Sequence, residues 1–490
     1  MRRRRFVSAT TVGLLALPAE RGRSSRADET ATYSNQYDSI QAAVDAAGDG
    51  HLYVDDTKEE DDIRIDTDEN DGLVIEWLGD SWVEQPADPD EDTHVFEVHG
   101  DSTYDLTLVN FRVRNPYNDD EDVFHQLHPD YDHNTDRRSA IELHREDPGP
   151  RTFRVLGGHV HHVNGYGVLA WNVNERAVIR DLTVQHTAQD GICVTGATAP
   201  DVTVSNCVCE DTGRHSFCFL DEIDTVRCSG VGRRPHTSGV YLEGLSDETD
   251  VFLETVIRGA VRAESGPHRR ILEWTETGPT VRGSLVGINP QNCQFTPLRA
   301  TVEDFTLTIT RDDGSEHVGF VGDVDEDGAV VDHQEAVRIQ DVTDGSATII
   351  LEDEGGSHPT EPAITLDNCA GGRFQLNTSN VSGLPVRIDR TRSAIVDVTS
   401  NDPWAATDEP FDDLEKTHVH VGSAGPEPTA GNDVRFLGRS DTDGDRGADY
   451  ALWLDAYSRA NRVSGTAYDA YAHRSVLDEG SDNETSDLVS

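Results

Sequence analysis

Four residues combine types and spacing suited to carbon-acid chemistry: Tyr166, Asp190, Arg214 and His215. Removing the proton beside a uronate carboxyl needs a base, a proton donor, and a cation to hold the carboxylate as charge builds on it. His215 can serve as the base, Tyr166 as the donor and Arg214 as the cation, with Asp190 a neighbouring carboxylate. The stretch 144–270 around them is dense in histidine and arginine, and Arg233, Arg234, His236 and His186 are the further residues expected to bind an anionic sugar. A plainer account makes these side chains turn residues and satisfied surface histidines.

These residues keep step with a repeat. Tyr166, Asp190, His215 and Ser238 immediately precede the phrases Gly167-Val168-Leu169-Ala170, Gly191-Ile192-Cys193-Val194, Ser216-Phe217-Cys218-Phe219 and Gly239-Val240-Tyr241-Leu242. The phrases begin 24, 25 and 23 residues apart. A second phase recurs at Val178–Val184 and Val202–Cys209, with earlier copies near Leu106–Val113 and Phe153–Leu156. Short alternating apolar runs broken by Asn, Asp or Gly read as strands and turns. One such unit cannot bury its apolar face alone, whereas stacked units close a continuous core. The expectation is all-β: a right-handed, single-stranded parallel β-helix. Asn110, Asp181 and Asn206 fit the bend between two strands of a coil. At the start, Asp38 or Ser39 can N-cap a helix carrying Ile40, Ala43, Val44 and Ala47, stopped by Gly48.

The segment Ser39–Gly50 resembles the amphipathic N-terminal cap of pectin-lyase-like parallel β-helix proteins, where such a helix covers the open end of the coil. The paired phrases Asp190-Gly191-Ile192 and Arg214-His215-Ser216-Phe217 are similar to a pair in mannuronan epimerases. That resemblance implies a place for His215 in a catalytic cleft beside Asp190. On the preceding coil, where that family carries Asp-Pro-His-Glu, this chain reads Val163-Asn164-Gly165-Tyr166-Gly167. Pectate-lyase-type sites use Arg or Lys with calcium, so the resemblance leaves calcium as the one cofactor to consider. The Asp323/Asp325/Asp327 and Asp441/Asp443/Asp445 spacings invite the same ion. The triplet His159, His161 and His162 is a weaker metal candidate, since strand alternation would place His161 and His162 on opposite faces.

Composition sets the background. The 490 residues carry 92 acidic and 41 basic side chains, a formal charge of −51. Lysine occurs only at Lys58 and Lys416. Such a balance excludes a general binder of nucleic acid or anionic membrane. The aromatic and β-branched content argues for a folded surface suited to molar salt rather than for disorder. No apolar run is long enough to span a bilayer. The Arg3-Arg4-x-Phe6 order, followed by a short apolar stretch, resembles a twin-arginine export signal, which implies a secreted or cell-surface protein. Of the seven cysteines, Cys207 and Cys209 are expected in the core; Cys193 and Cys218 face outward on adjacent coils, as a disulfide or as two thiols.

The expected organisation is an export signal and leader over 1–34, a β-helix over 35–475 with a β insertion or irregular coils at about 299–352, and a disordered acidic tail over 476–490. Three functions compete. One is a lyase or epimerase acting on an acidic polysaccharide. Another is a non-catalytic glycan-binding or cell-surface structural β-helix. The third is a hydrolase, pairing Asp190 with Asp221 or Asp211.

Overall fold

In the computed structural model the described residues are 31–66, 70–86, 94–100, 104–116, 138–198, 200–235, 238–246, 248–258, 270–274, 280–288, 294–295, 301–310, 337–340, 342–352, 362–379, 384–401, 417–422, 427–439, 450–468 and 476–489. Every strand pairing among them is parallel, and each strand pairs with its own copies on the coils before and after. Thr152–Val163 lies between Asp105–Arg114 and Arg176–Thr187, and Ile192–Gly196 lies between Val168–Val173 and His215–Asp221. The result is a long sheet and a second sheet enclosing one apolar core. This is a parallel β-helix.

Alternation fills that core. Val178 to Val184 and Val202 to Cys209 bury every second residue until Asp181 and Asn206, which switch the phase. Asn110, Asp181 and Asn206 have φ of 54°, 56° and 53°. That left-handed turn bends one long strand so that it serves two faces of the coil, and Asn and Asp accept it most readily. Cys207 and Cys209 are buried in the core as expected.

The helix Ile40–Ala47 begins at Ser39, whose hydroxyl accepts the Ala42 N–H at 3.0 Å. Ile40, Ala43 and Val44 are buried, and Gly48 ends the helix at φ 55°. The Glu60 carboxylate accepts the Ile40 and Gln41 N–H groups, satisfying donors that a helix start leaves open.

Thr301–Thr310 pairs with Thr280–Ile288 and Ser346–Glu352 pairs onward with Arg373–Ser379, so the described ends of the 299–352 stretch are coils of the helix, in keeping with the irregular-coil alternative. The Asp-Gly turns that suggested an insertion lie in 311–336, outside the described residues. The expected disordered tail instead adds strands: Val476–Asp478 pairs with Tyr450–Leu454, and Glu484–Val489 with Arg462–Tyr468. Backbone pairing to the last complete coil outweighs the acidic composition there. The alternation argument fails at His162, whose φ of 60° turns the chain at a coil corner. The His161 and His162 rings therefore meet, Nδ1 to Nδ1 at 2.8 Å.

Residues 1–30 and the Asp323–Asp327 and Asp441–Asp445 segments lie outside the described residues. Among the described residues no helix is long and apolar enough to cross a membrane.

Candidate functional site on the outward face of the second sheet

Ladder hydrogen bonds at the start of the second-sheet strands set Ser139, Tyr166, Asp190 and His215 one above another. Ala140 N–H donates to the Tyr166 carbonyl at 2.9 Å, Gly167 N–H to that of Asp190 at 3.1 Å, and Gly191 N–H to that of His215 at 2.9 Å. Ser238 pairs with His215 on the next coil. A Cβ on Gly191 would sit 2.7 Å from Cys209 Sγ and 2.9 Å from the Ser216 carbonyl oxygen, so a larger residue there would force its neighbours to shift. Alternation then sends Ile192 and Phe217 inward, and Leu169, Cys193, Cys218 and Tyr241 outward in register.

The outward side chains form an apolar cluster separate from the main core: Tyr166, Leu169, Cys193 and Cys218, with Trp171, Leu220 and Tyr241 packed around them half-buried. Cys193 and Cys218 are in register as free thiols. Arg145 lies over the Trp171 ring at 5.0 Å, a cation–π contact.

Tyr166, Asp190, Arg214 and His215 converge. Arg214 Nε lies 3.8 Å from Asp190 Oδ1, and its Nη1 donates to Tyr166 Oη at 3.5 Å. The His215 N–H donates to Asp190 Oδ1 at 3.0 Å. The His215 ring pairs through Nδ1 with Ser238 Oγ and stacks on Tyr241, centroids 4.2 Å apart. Tyr166, Asp190 and His215 are 6%, 1% and 2% exposed, while the Arg214 side chain keeps 29%. Asp190 Oδ2 is buried without a hydrogen-bond partner.

Burial fixes the protonation states. It pushes the His215 pKa down to about 4 against the opposing pull of Asp190, so the ring is neutral at pH 7. Burial, then the Asp190 charge, raises the Tyr166 phenol above its ordinary value. Burial works against the Arg214 charge, but Asp190 overrides it and holds the guanidinium protonated. The site thus offers a neutral imidazole, a protonated phenol and a cation. The ligand atoms of Asp190, Cys193 and Cys218 lie within 4.8 Å of one another. Both thiols are held protonated: burial drives the Cys218 pKa well up, and at Cys193 the lowering by the Cys218 hydrogen bond is exceeded by burial and the Asp190 charge acting together. With Arg214 alongside, this corner suits an anion better than a metal ion.

The residues expected to bind sugar are elsewhere on the coil. His186, Asp211 and Arg234 occupy the left-handed corner after the long-sheet strands, below His162. His186 stacks on His162 at 4.5 Å and lies 3.6 Å from Asp211. Arg233 lies 3.6 Å from Glu210, and Arg234 pairs with both Glu210, at 3.2 Å, and Asp211. These arginines are half-exposed but already paired with acids. His236 lies outside the described residues.

A second polar group on the same sheet was missed. Asp367 pairs in register with Asp389 on the next coil. Arg390 holds the fully buried Asp367 with two hydrogen bonds. His420 Nε2 lies 3.1 Å from Asp455 Oδ2, and its ring stacks on Trp453. Thr365 Oγ1, Arg387 Nε, Asp389 Oδ1 and His420 Nδ1 are all buried there without hydrogen-bond partners. The only signal in the sequence was the recurrence of Thr365-Leu366-Asp367 as Arg387-Ile388-Asp389.

The strand pairing and the N-terminal helix define the class: a parallel β-helix with polar groups arrayed along one outward sheet face. No protein-family model matches the chain, and no curated protein sequence matches it. Solved structures similar to it include the catalytic unit of a GH87 alpha-1,3-glucanase from Streptomyces thermodiastaticus, at 11% identity and TM-score 0.39 over 91% of this chain; the match spans 65% of that catalytic unit. The tailspike of E. coli bacteriophage HK620, in complex with a pentasaccharide, is similar at 11% identity and TM-score 0.33, over 91% of this chain and 76% of the tailspike. DFA-IIIase from Arthrobacter chlorophenolicus A6 matches at 10% identity and TM-score 0.23, over 90% of this chain and 93% of its own. None of the three assigns a substrate or a residue to this chain.

Proposed function

We propose that this protein acts on an acidic polysaccharide, as a lyase or epimerase that removes the proton beside a uronate carboxyl. The observation carrying the reading is the contact of Arg214 with both Asp190 and Tyr166 beside a neutral His215, on an outward face flanked by Trp171 and Tyr241. The sugar carboxylate binds the Arg214 guanidinium, and His215 takes the adjacent carbon-bound proton. The electron pair moves into the carboxylate, where Arg214 holds it. Tyr166 then protonates either the leaving glycosidic oxygen or the opposite face of the same carbon; the first outcome is elimination and the second epimerisation. His215 returns its proton to the phenolate. The protein works outside the cell, after twin-arginine export, and in molar salt.

One observation favours the alternative, a non-catalytic glycan-binding or cell-surface structural β-helix. Asp190 and His215 are nearly closed to solvent, as a polar rung holding adjacent coils together would be. Turnover of a panel of uronate polymers in molar salt, followed by absorbance of unsaturated product, separates the two. Arg214→Ala abolishes turnover under the enzyme reading. Polymer binding by the wild type without any product supports the binder.

A further inference from the structure

We propose that His99, His144 and Asp147 bind a divalent transition-metal ion of the zinc type, with Glu97 as the carboxylate behind both imidazoles. The site lies on the outward face of the second sheet, toward the N-terminal end, and is independent of the chemistry proposed at His215. Phe96–His99 and Ile141–Leu143 are adjacent parallel strands. His144 follows directly, its N–H donating to the Val98 carbonyl at 2.9 Å, so the two imidazoles stack with centroids 4.4 Å apart.

The stacked rings present one edge to each of two carboxylates. Asp147 Oδ2 lies 3.0 Å from His99 Nδ1 and 3.6 Å from His144 Nδ1. Glu97 spans the far edge, Oε2 at 3.0 Å from His99 Nε2 and Oε1 at 3.9 Å from His144 Nε2. Two neutral imidazoles hold one proton each and cannot satisfy all four nitrogen–carboxylate approaches. The structure shows the deficit: His144 Nδ1 and His99 Nε2 are buried without hydrogen-bond partners. A positive charge between the Nδ1 atoms and Asp147 resolves it. Both Nε2 atoms then carry hydrogens on the edge where Glu97 lies, and a turn of its carboxylate completes the carboxylate–histidine–metal arrangement that orients ligands and raises their basicity.

The dimensions suit a small ion. Ligand atoms of His99, His144 and Asp147 all lie within 4.8 Å of one another. A tetrahedral ion with bonds of about 2.1 Å needs ligand atoms about 3.4 Å apart, so the rings must tilt until their Nδ1 edges converge, moving ligand atoms by no more than about 1.5 Å. Two imidazoles and carboxylates favour zinc and its neighbours over magnesium or calcium. The turn carrying Asp147 is held independently: Asn172 Nδ2, from the next coil, donates to the carbonyls of Arg145 at 2.8 Å and Asp147 at 3.1 Å. Gly100 N–H donates to Asp147 Oδ2 at 3.3 Å. With all four side chains between 15% and 34% exposed, solvent reaches the ion and a fourth ligand position stays open.

The test is titration of the chelator-treated full chain with zinc, and with cobalt(II) for its visible bands, in molar salt, where screening over about 3 Å suppresses loose binding to surface carboxylates. One equivalent is expected, with the intense cobalt spectrum of a four-coordinate nitrogen and oxygen site. His99→Ala and His144→Ala lower affinity at least 100-fold, and Glu97→Gln about 10- to 100-fold. His186→Ala, on the other histidine cluster, leaves binding unchanged. Should the alanine variants not fold, as circular dichroism would show, the near-isosteric Asp147→Asn and Glu97→Gln carry the same comparison. Absence of stoichiometric binding, or binding indifferent to these substitutions, overturns the proposal and leaves two imidazolium–carboxylate pairs in its place.

Discussion

Acid should unfold this protein through its buried histidines, and His215 allows the size to be worked out. Burial holds its pKa at about 4 in the fold, against 6.5 for the free side chain. Below pH 6.5 the unfolded chain therefore binds a proton that the folded one refuses, and stability falls as pH falls toward 4. Each unit of depression is about 1.4 kcal/mol, so the complete loss from His215 is about 3 kcal/mol. His418, pressed down to about 3 by burial beside Ser400, adds to the loss over a window reaching further into acid. The assay is chemical denaturation in molar salt over a pH series, comparing wild type with His215→Gln. The glutamine cannot charge, so the variant should lose about 3 kcal/mol less than wild type between pH 7 and pH 4. Parallel stability curves would refute the assignment of a buried, neutral His215.

Three further outcomes follow from the packing and the site. Gly191→Ala should destabilise the protein by about 1–3 kcal/mol, read as a lowered denaturation midpoint, because its Cβ would meet Cys209 Sγ at 2.7 Å. Arg390→Ala removes two charge-assisted hydrogen bonds from the fully buried Asp367 carboxylate and should cost about 3 kcal/mol, read as a lowered denaturation midpoint. Trp171→Ala should weaken binding of a uronate oligomer by about tenfold, read by calorimetry, while leaving the fold intact.

What the sequence made legible was whatever repeats. The spacing of the phrases led by Gly167, Gly191 and Ser216 announced the coil, and Asn110, Asp181 and Asn206 marked a bend that only a left-handed residue can make. The same reasoning put Tyr166, Asp190 and His215 in one column, because the coil converts sequence period into spatial adjacency. It failed where the chain leaves strand geometry: His162 turns left-handed at a corner, so alternation misjudged its ring. It also failed at Val476–Val489, where composition suggested a tail but stacking on the preceding coil supplies partners for the backbone. The members of the cluster at His99–His144–Asp147 escaped notice because they are one strand end and one turn apart. Their convergence depends on loop paths, such as the turn that Asn172 clamps, which no periodicity records.

Proton movement by Tyr166, Arg214 and His215 at the carbon beside a uronate carboxyl leaves an isotopic record, read by NMR after incubating the full chain with uronate polymers in deuterated molar salt. Solvent deuterium at that carbon, or an unsaturated terminal sugar, is expected, with both signals lost in His215→Ala and Arg214→Ala while polymer binding persists in His215→Ala. Wild-type binding with neither deuterium uptake nor cleavage would contradict this chemistry.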